Sequence, residues 1–293
     1  MQAMRASIPT SDNRELSAQL FLPEHEDTTL PAVVIHPATG VHKGLYAACA
    51  QYLADHGIPV LTYDYRGTNE SALPSDYKDK NIGMSDWMLC DVPAANRFLR
   101  SRYPDRKIVA IGHSVGGHGQ LVSFQDEPVD AIALVASHAG ITRLIPPLPE
   151  RLKVGFVFNV FTPLTARFLG YVPVDKIGMG KPVPAGIMLQ WRHWTRMPQY
   201  FFDDPNFPDQ GTPLPQRFAK VTAPVLSIVL NDDPWATREA SDVLLRRLTG
   251  ASVEKRDISP ASIGAKEIGH MGFFRSKSKD LWEGLYEWVV KAT

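Results

Sequence analysis

The sequence predicts an α/β fold: a doubly wound, mostly parallel β-sheet with a helical lid inserted between two core strands. Two observations predict it. Short apolar, β-branched runs alternate with longer runs of helical period along most of the 293 residues, and this alternation is typical of right-handed β-α-β crossovers in a parallel sheet. Residues 141–215 interrupt the alternation, and they hold 12 of the 24 prolines and 11 aromatic residues.

Each core strand is a short apolar run bounded by turn residues, which is typical of strands that are buried on both faces. The strands are predicted at residues 31–40, 58–67, 107–114, 129–140, 223–233 and 251–258. The helices are predicted at residues 44–57, 86–104, 115–125, 236–250 and about 276–291. The first thirty residues have no helical period, and "MRASIP" and "LSAQLFLPE" could pair as a hairpin at the edge of the sheet.

The interruption divides the chain into a core of residues 1–140 and 216–293 and an insertion of residues 141–215. Within the insertion, residues 151–170 and 187–202 have helical period. Ligands of open α/β sheets bind beyond the carboxyl ends of the strands, so a lid at this place would form a wall of the pocket. Two alternatives stay open: a subdomain that fills its own small core, and contact of the amphipathic segment 151–170 with lipid.

The composition is that of an ordinary globular protein, with 44% hydrophobic and 21% charged residues. Lys and Arg together number 31, as do Asp and Glu, and no basic stripe of the kind that binds nucleic acid is present. Cys49 and Cys90 are expected to be buried free thiols, because no metal or redox spacing surrounds them. No signal peptide or membrane-spanning run is recognisable, so a cytoplasmic location is expected by default.

The segment "KIVAIGHSVGG" carries the strongest chemical signal. A predicted strand runs directly into Gly112-His113-Ser114-Val115-Gly116, and a stretch compatible with a helix follows. A sharp strand-to-helix turn strains the serine backbone and exposes its hydroxyl above the sheet. The two glycines are needed where strand and helix converge. Ser114 is therefore the predicted nucleophile.

A serine hydroxyl becomes nucleophilic when a base removes its proton, and in this arrangement an acid and then a histidine follow the serine along the chain. Asp232 and Asp233 follow the strand "VLSIVL", and His270 lies in "EIGHMGFFR", which is expected to be a loop before the last helix. A G-x-x-D pattern is usual after this strand, and here Leu230 takes the glycine position and Asp233 the position of the acid. Asp233 is therefore the favoured acid, and Asp232 remains the alternative. Asp233 would then orient His270, which would accept the Ser114 proton.

An oxyanion hole needs two backbone N–H donors. Val115, directly after the nucleophile, is the first predicted donor. The second should come from "HPATG" after the first core strand, where Pro37 has no N–H. Ala38 is the favoured second donor and Thr39 the next choice.

These residues resemble the α/β-hydrolase superfamily over nearly the whole chain. The resemblance is carried by "HPATG", "DYRGTNES", "GHSVGG", "NDD" and "GHMGFF", and "QWRHWTRMPQYFFDDP" is similar to a group of bacterial predicted hydrolases with a cap domain. It implies a structural, loop-organising role for Asp64 and Arg66. Pro37 and Asn69 replace glycines of the usual motifs, and Asn tolerates the left-handed backbone conformation that such a position demands.

Candidate pocket residues are Thr39, His113, Trp191 and Trp194; the two tryptophans lie three apart on a predicted helix and could line an acyl pocket or anchor the lid. The histidines at positions 36, 113, 118 and 138 lack metal-ligand spacing and are expected to pack through hydrogen bonds.

The expected function is hydrolysis of a small carboxylic ester or related acyl compound through an acyl-enzyme, with no cofactor and no metal. Thioester cleavage, amide or peptide-amine cleavage and perhydrolysis stay open, because one catalytic serine supports all of them. A ligand sensor on the same fold is the alternative from another class. The expected partner is a small acyl substrate, and the oligomeric state is open, with a homodimer compatible with the sequence.

Overall fold

The computed structural model of the protein describes residues 2–177 and 181–293. Its strands are β1 Gln2–Pro9, β2 Glu15–Leu22, β3 Ala32–His36, β4 Val60–Tyr63, β5 Ile108–His113, β6 Ala131–Val135, β7 Tyr171–Val172, β8 Val183–Pro184, β9 Val225–Leu230 and β10 Val253–Ile258. Its α-helices are α1 Ala47–Asp55, α2 Met84–Asp86, α3 Val92–Arg102, α4 Val115–Ser123, α5 Leu148–Phe156, α6 Thr162–Phe168, α7 Ala185–Thr195, α8 Leu214–Ala219, α9 Arg238–Leu245, α10 Gly269–Gly272 and α11 Trp282–Lys291.

The main sheet has eight strands in the order β1-β2-β4-β3-β5-β6-β9-β10. From β4 to β10 the neighbouring strands are parallel. Strands β1 and β2 form an antiparallel hairpin that extends the edge beside β4. The predicted fold class, a doubly wound and mostly parallel sheet, is confirmed.

Two apolar layers cover the sheet, because successive side chains of a strand point to opposite faces. Val33 and Ile35 of β3 pack in one layer with residues of α1 and α11. Ala32 and Val34 of the same strand pack in the other layer with residues of α3, α4 and α9. Every residue of β3, β5, β6 and β9 is buried, as expected for strands between two helical layers.

Two helices contain a π turn, at Trp87–Asp91 and at Val157–Phe161. In each case the residue after the turn donates its N–H to the carbonyl oxygen of the residue five positions earlier. A proline follows as the second residue of the next helix, Pro93 in α3 and Pro163 in α6. A proline has no N–H for the usual bond four residues back, and the wider turn accommodates this loss. Residues 148–168 therefore form one helical rod.

The segment between β6 and β9 contains α5 to α8 and the small β7–β8 pair. The helix predicted at residues 187–202 is shorter than expected: α7 ends at Thr195, and a 3₁₀ turn follows at Tyr200–Asp203. Pro198 accounts for the break, because it cannot donate to a continuing helix. His270 was expected in a loop, and it lies instead in the short helix α10.

Candidate active site

Ser114 lies on the sharp turn between β5 and α4, with φ 53° and ψ −117°. A residue with a side chain rarely adopts this conformation, so the turn holds backbone strain. A Cβ on Gly112 would overlap the backbone of Gly117, and a Cβ on Gly116 would overlap the carbonyl of His36. Both positions therefore require glycine, and the strained turn that the sequence predicts is present.

Asp233 and His270 are in contact, although 36 residues separate them in the chain. Asp233 follows β9 and is buried; its Oδ1 accepts the N–H groups of Trp235 and Ala236, and its Oδ2 lies 2.6 Å from His270 Nδ1. Burial opposes ionisation of Asp233, but the charge and hydrogen bond of His270 outweigh it and lower the pKa of the carboxyl to about 2. The carboxylate therefore fixes Nδ1 as the protonated nitrogen and leaves Nε2 available.

Asp232, the alternative acid, has a different role in the structure. Its Oδ2 accepts the N–H groups of Ile268 and Gly269 at 2.7 and 3.0 Å. Asp232 therefore holds the backbone that leads into His270, whereas Asp233 contacts the imidazole itself.

Ser114 and His270 line the same pocket. Among the hydrogen bonds of the described residues there is none between the Ser114 hydroxyl and the His270 ring. Such bonds are often long in a free enzyme and shorten when substrate binds.

The predicted second oxyanion donor needs correction. The Ala38 N–H donates to the hydroxyl of Tyr46 at 2.8 Å, and both residues are buried. An N–H engaged in this way is not available to a substrate oxygen. Thr39, the next choice, lines the cavities beside Ser114. Val115 begins α4 and lines one of these cavities, and the first N–H groups of a helix have no partner within it.

Tyr46 and His113 connect three loops around Ser114. The Tyr46 oxygen lies 2.9 Å from His113 Nδ1, and His113 Nε2 lies 2.9 Å from the carbonyl oxygen of His270. A carbonyl only accepts, so Nε2 carries the proton. Burial first, and the charge of His270 second, lower the pKa of His113 to about 3, so the ring is neutral. Nδ1 must therefore accept from the Tyr46 hydroxyl, which in turn accepts the N–H of Ala38.

No sequence pattern indicates this role for Tyr46, which occupies an ordinary position at the start of a helix. His113 was a candidate pocket residue, and the structure places it elsewhere: it is fully buried behind Ser114 and bonded at both ring nitrogens.

Two neighbouring pockets meet at Trp191 and Trp235. The polar pocket, about 390 Å³, is lined by Thr39, Ser114, His270, Glu267, Arg275 and Lys277 among others. The apolar pocket, about 110 Å³, is lined mainly by Ile141, Ile145, Val154, Val157, Phe158 and Trp191. A small cavity lined by both Ser114 and His138 shares residues with each of the two pockets.

The two candidate tryptophans therefore have different positions. Trp191 lines both pockets. Trp194 is fully buried, and its Nε1 donates to Asp204 at 2.7 Å. It packs against Tyr200 and Phe201 within the segment between β6 and β9. Residues three apart on a helix differ in direction by about 60°, which is enough for Trp194 to face a core while Trp191 faces the pocket.

The remaining candidate histidines are held by hydrogen bonds. His36 contacts the hydroxyl of Tyr63 and the side chain of Gln120. His118 Nε2 lies 2.8 Å from the carbonyl oxygen of His138, and His138 Nδ1 lies 3.1 Å from the carbonyl oxygen of Ala136.

Asp64 and Arg66 lie in buried ion pairs away from Ser114. Asp64 accepts both the backbone N–H and the ammonium of Lys43, and Arg66 pairs with Asp91 and Asp12. His42 and Glu70 approach Asp64 closely enough to suggest a metal site. The ammonium of Lys43 already lies 2.9 Å from Asp64 and 2.8 Å from Glu70, so a cation would compete with a resident positive charge.

Within residues 2–177 and 181–293, no helix is long and apolar enough to cross a membrane. Residues 28–176, which are 149 of the 293 residues, match the family described as serine aminopeptidase, S33. Cutinase 2 of Thermobifida cellulosilytica is 30% identical over 104 residues, which cover 35% of this chain and 37% of the cutinase. The chain thus matches only about a third of that relative's length.

Solved structures share the fold over nearly the full chain. The structure of DcsB in complex with its substrate analogue has a TM-score of 0.66 at 13% identity, covering 99% of both chains. The esterase PF2001 of Pyrococcus furiosus has a TM-score of 0.63 at 14% identity, covering 99% of this chain and 91% of the esterase. At these identities, the similarity concerns the fold.

Proposed function

The chain belongs to the serine aminopeptidase (S33) family of α/β hydrolases, and from this premise we propose that it hydrolyses a small carboxylic ester through an acyl-enzyme. The observation that carries the proposal is the contact of His270 with the buried Asp233 carboxylate, together with a pocket that both His270 and Ser114 line. The esterases and cutinases among its relatives support ester hydrolysis as the reaction class.

In the proposed reaction, Ser114 Oγ attacks the ester carbonyl carbon while His270 Nε2 takes the hydroxyl proton. Asp233 keeps Nδ1 protonated and stabilises the imidazolium that forms. The tetrahedral intermediate collapses, its C–O bond breaks, and His270 returns the proton to the departing alcohol. Water then attacks the acyl-enzyme by the same route and releases the acid with a free Ser114.

We assign the oxyanion hole to the backbone N–H groups of Val115 and Thr39. Val115 is supported by its position at the start of α4, where the helix dipole also favours a negative oxygen. Thr39 replaces Ala38 because the Ala38 N–H is bonded to Tyr46.

Residues 141–215 are proposed to act as a lid on a core of residues 1–140 and 216–293. Two contacts support this division. Trp191, from α7, lines the pocket that holds Ser114. The Trp235 Nε1 donates to Glu150 of α5 at 2.9 Å, which links the insertion to the loop that carries Asp233.

The two pockets support an ester with an apolar acyl group and a polar alcohol. The apolar pocket, with Ile145, Val157 and Phe158, suits a short hydrocarbon chain or a small ring. The polar pocket, with Arg275 and Lys277, suits the alcohol side.

Aminopeptidase activity, which the family description names, has less support. An aminopeptidase must hold the ammonium group of its substrate, and a carboxylate in an enclosed site is the natural partner. Among the described residues that line these pockets, Glu267 is the one carboxylate, and its side chain is 82% exposed. Water would screen that charge strongly.

A fluorophosphonate probe and a substrate panel test the proposal. Wild-type protein should label covalently, Ser114→Ala should not, and Ser137→Ala, a neighbouring buried serine bonded to the Gly112 carbonyl, should label normally. Esters with short apolar acyl groups should be cleaved faster than matched thioesters and amides. If wild-type protein neither labels nor cleaves, but is stabilised by acyl ligands, the chain is a ligand sensor and the proposal is wrong.

A further inference from the structure

One surface of the insertion exposes a row of large apolar side chains. Ten such side chains are exposed among the described residues, and seven of them lie between positions 148 and 169. We call this row the apolar stripe; it consists of Leu148, Leu152, Phe156, Val160, Leu164, Phe168 and Leu169. Leu152 is 64% exposed and Phe168 is 74% exposed. A concentration of this kind marks a contact surface, whereas scattered exposed leucines do not.

The helical rod of residues 148–168 arranges the stripe. Its members from 148 to 168 are spaced four apart, and the π turn at Val157–Phe161 widens the helix so that this spacing stays closer to one line. The opposite side of the rod contributes Val157 and Phe158 to the apolar pocket. The rod is about 31 Å long at 1.5 Å per residue, so the stripe is a long, narrow band.

The charges beside the stripe are mainly positive. Arg151 and Arg167 lie on the rod. The one acidic residue of the rod, Glu150, accepts a hydrogen bond from Trp235 and pairs with Lys153, which lines the apolar pocket. Beyond the last turn, Lys78 packs beside Gly170. Because the whole chain has a formal net charge of zero, this excess of cations is local.

The dimensions and the charge both disfavour a second copy of the chain as the occupant. A band one helix wide and about 31 Å long presents roughly 300 Å², well below the about 800 Å² per partner of a stable interface. Two copies would also bring their Arg and Lys residues together, which costs free energy. An extended anionic surface has neither problem, because apolar side chains enter the acyl region while cations meet phosphate groups.

We propose that the apolar stripe docks the protein on an anionic lipid surface, with the rod of residues 148–168 parallel to the membrane plane. The stripe enters the boundary between headgroups and acyl chains, and Arg151 and Arg167 lie at headgroup level. This docking depends on the surface of the insertion and not on the reaction at Ser114, so the two are tested separately.

Vesicle flotation tests the proposal. Wild-type protein should float with vesicles of equimolar phosphatidylcholine and phosphatidylglycerol, and much less with phosphatidylcholine alone. The triple variant Leu152→Ser, Phe156→Ser, Leu164→Ser should bind the anionic vesicles at least about tenfold more weakly. Raising the salt from about 0.1 M to about 0.5 M should also weaken wild-type binding, since it screens the headgroup charge.

A matched control removes three exposed apolar side chains elsewhere. Met4→Ser, Leu73→Ser and Val290→Ser together alter residues that are 42%, 50% and 37% exposed, and this variant should float like wild type. If the stripe variant loses its circular dichroism signal, the double variant Arg151→Gln, Arg167→Gln replaces it and should bind anionic vesicles several-fold more weakly.

Three results would overturn the proposal: wild-type protein that does not float, a stripe variant that floats as well as wild type, or equal binding to neutral and anionic vesicles. A wild-type dimer at micromolar concentration that the stripe variant converts to monomer would assign the stripe to a second copy of the chain instead.

Discussion

Replacing Tyr46 by Phe tests whether the buried bonds behind Ser114 position the reacting groups. The substitution removes one oxygen from a fully buried side chain. That oxygen accepts the Ala38 N–H at 2.8 Å and donates to His113 Nδ1, 2.9 Å away. His113 precedes Ser114 and holds the carbonyl of His270, so the change affects the oxyanion loop, the nucleophile and the base together.

The stability cost follows from the two groups that lose a partner. A buried donor or acceptor left unsatisfied costs about 1–3 kcal/mol, so the Ala38 N–H and His113 Nδ1 together predict a loss of about 2–6 kcal/mol. Domains are stable by about 5–15 kcal/mol. The variant should therefore fold at room temperature and unfold at a lower urea concentration than wild type.

The activity of Tyr46→Phe should fall even at a temperature at which the variant is fully folded. Small displacements of reacting groups cost up to about a hundredfold in rate, and we expect kcat on a short-chain chromogenic ester to fall about tenfold or more. KM should change little, because the apolar residues proposed to hold the acyl group, such as Ile145, Val157 and Phe158, do not contact Tyr46 or His113 through any of these bonds. The assay is steady-state kinetics at a temperature at which the variant is folded by circular dichroism.

Tyr63→Phe is the matched control. Tyr63 is equally buried, and its hydroxyl lies 2.8 Å from Nδ1 of His36, another buried histidine. The control should lose stability to a similar degree and keep its kcat. If Tyr46→Phe and Tyr63→Phe lower kcat equally, the bonds of Tyr46 stabilise the fold only, and the positioning role is refuted.

Three further predictions follow from the same geometry. Asp233→Asn should lower kcat by about 10⁴ because His270 loses its orienting charge, while Asp232→Asn should cost about tenfold or less; the reverse ranking in ester kinetics would make Asp232 the acid. Ser114→Gly should be more stable to urea than Ser114→Ala by about 1 kcal/mol, because glycine relieves the positive φ; equal midpoints would show that the turn is unstrained. The free energy of unfolding should also fall on acidification, because burial lowers the pKa of four histidines to about 3 or 4. The four are His36, His113, His118 and His138. Since the unfolded chain protonates these rings below about pH 6.5 and the folded chain does not, each costs about 1.4 kcal/mol at about pH 5.5. Burial raises the pKa of Asp91 to about 6 and offsets about 0.8 kcal/mol of that loss. A urea midpoint that is the same at about pH 7.5 and about pH 5.5 would contradict the predicted loss of stability in acid.

The sequence predicts most of the core because its signals are local. The strand "KIVAI" and the glycines at 112 and 116 specify a strained turn from neighbouring residues alone, and the structure contains it. The left-handed conformation expected at Asn69 is present as well, with φ 49°. Asp233 and His270 could be chosen because parallel strands bring their carboxyl ends to one edge, so that order along the chain predicts proximity. Their catalytic roles remain predictions.

The errors arise where a contact depends on side chains distant in sequence. Nothing in "HPATG" indicates that the Ala38 N–H faces a hydroxyl eight residues later, because that contact depends on how α1 packs beside β3. The position of Trp194 likewise depends on Asp204 and on the break before Pro198. The length of α7 could have been anticipated from that proline, whereas the partner of the Trp194 indole could not. Periodicity reports which face of an element is apolar, and it does not report which of two apolar environments that face enters.

The apolar stripe is a second case in which helical period leaves the environment of an apolar face undetermined. The period of residues 151–170 is that of an amphipathic helix with an apolar face, and a soluble core or a lipid surface would satisfy it equally. In the structure one face of the rod lines the apolar pocket through Val157 and Phe158, while Leu152 and Phe168 on the other face are exposed. A helix with apolar side chains on both faces needs two partners. Since the described part of the chain supplies a partner for one face, the other is the natural place for a contact outside the molecule.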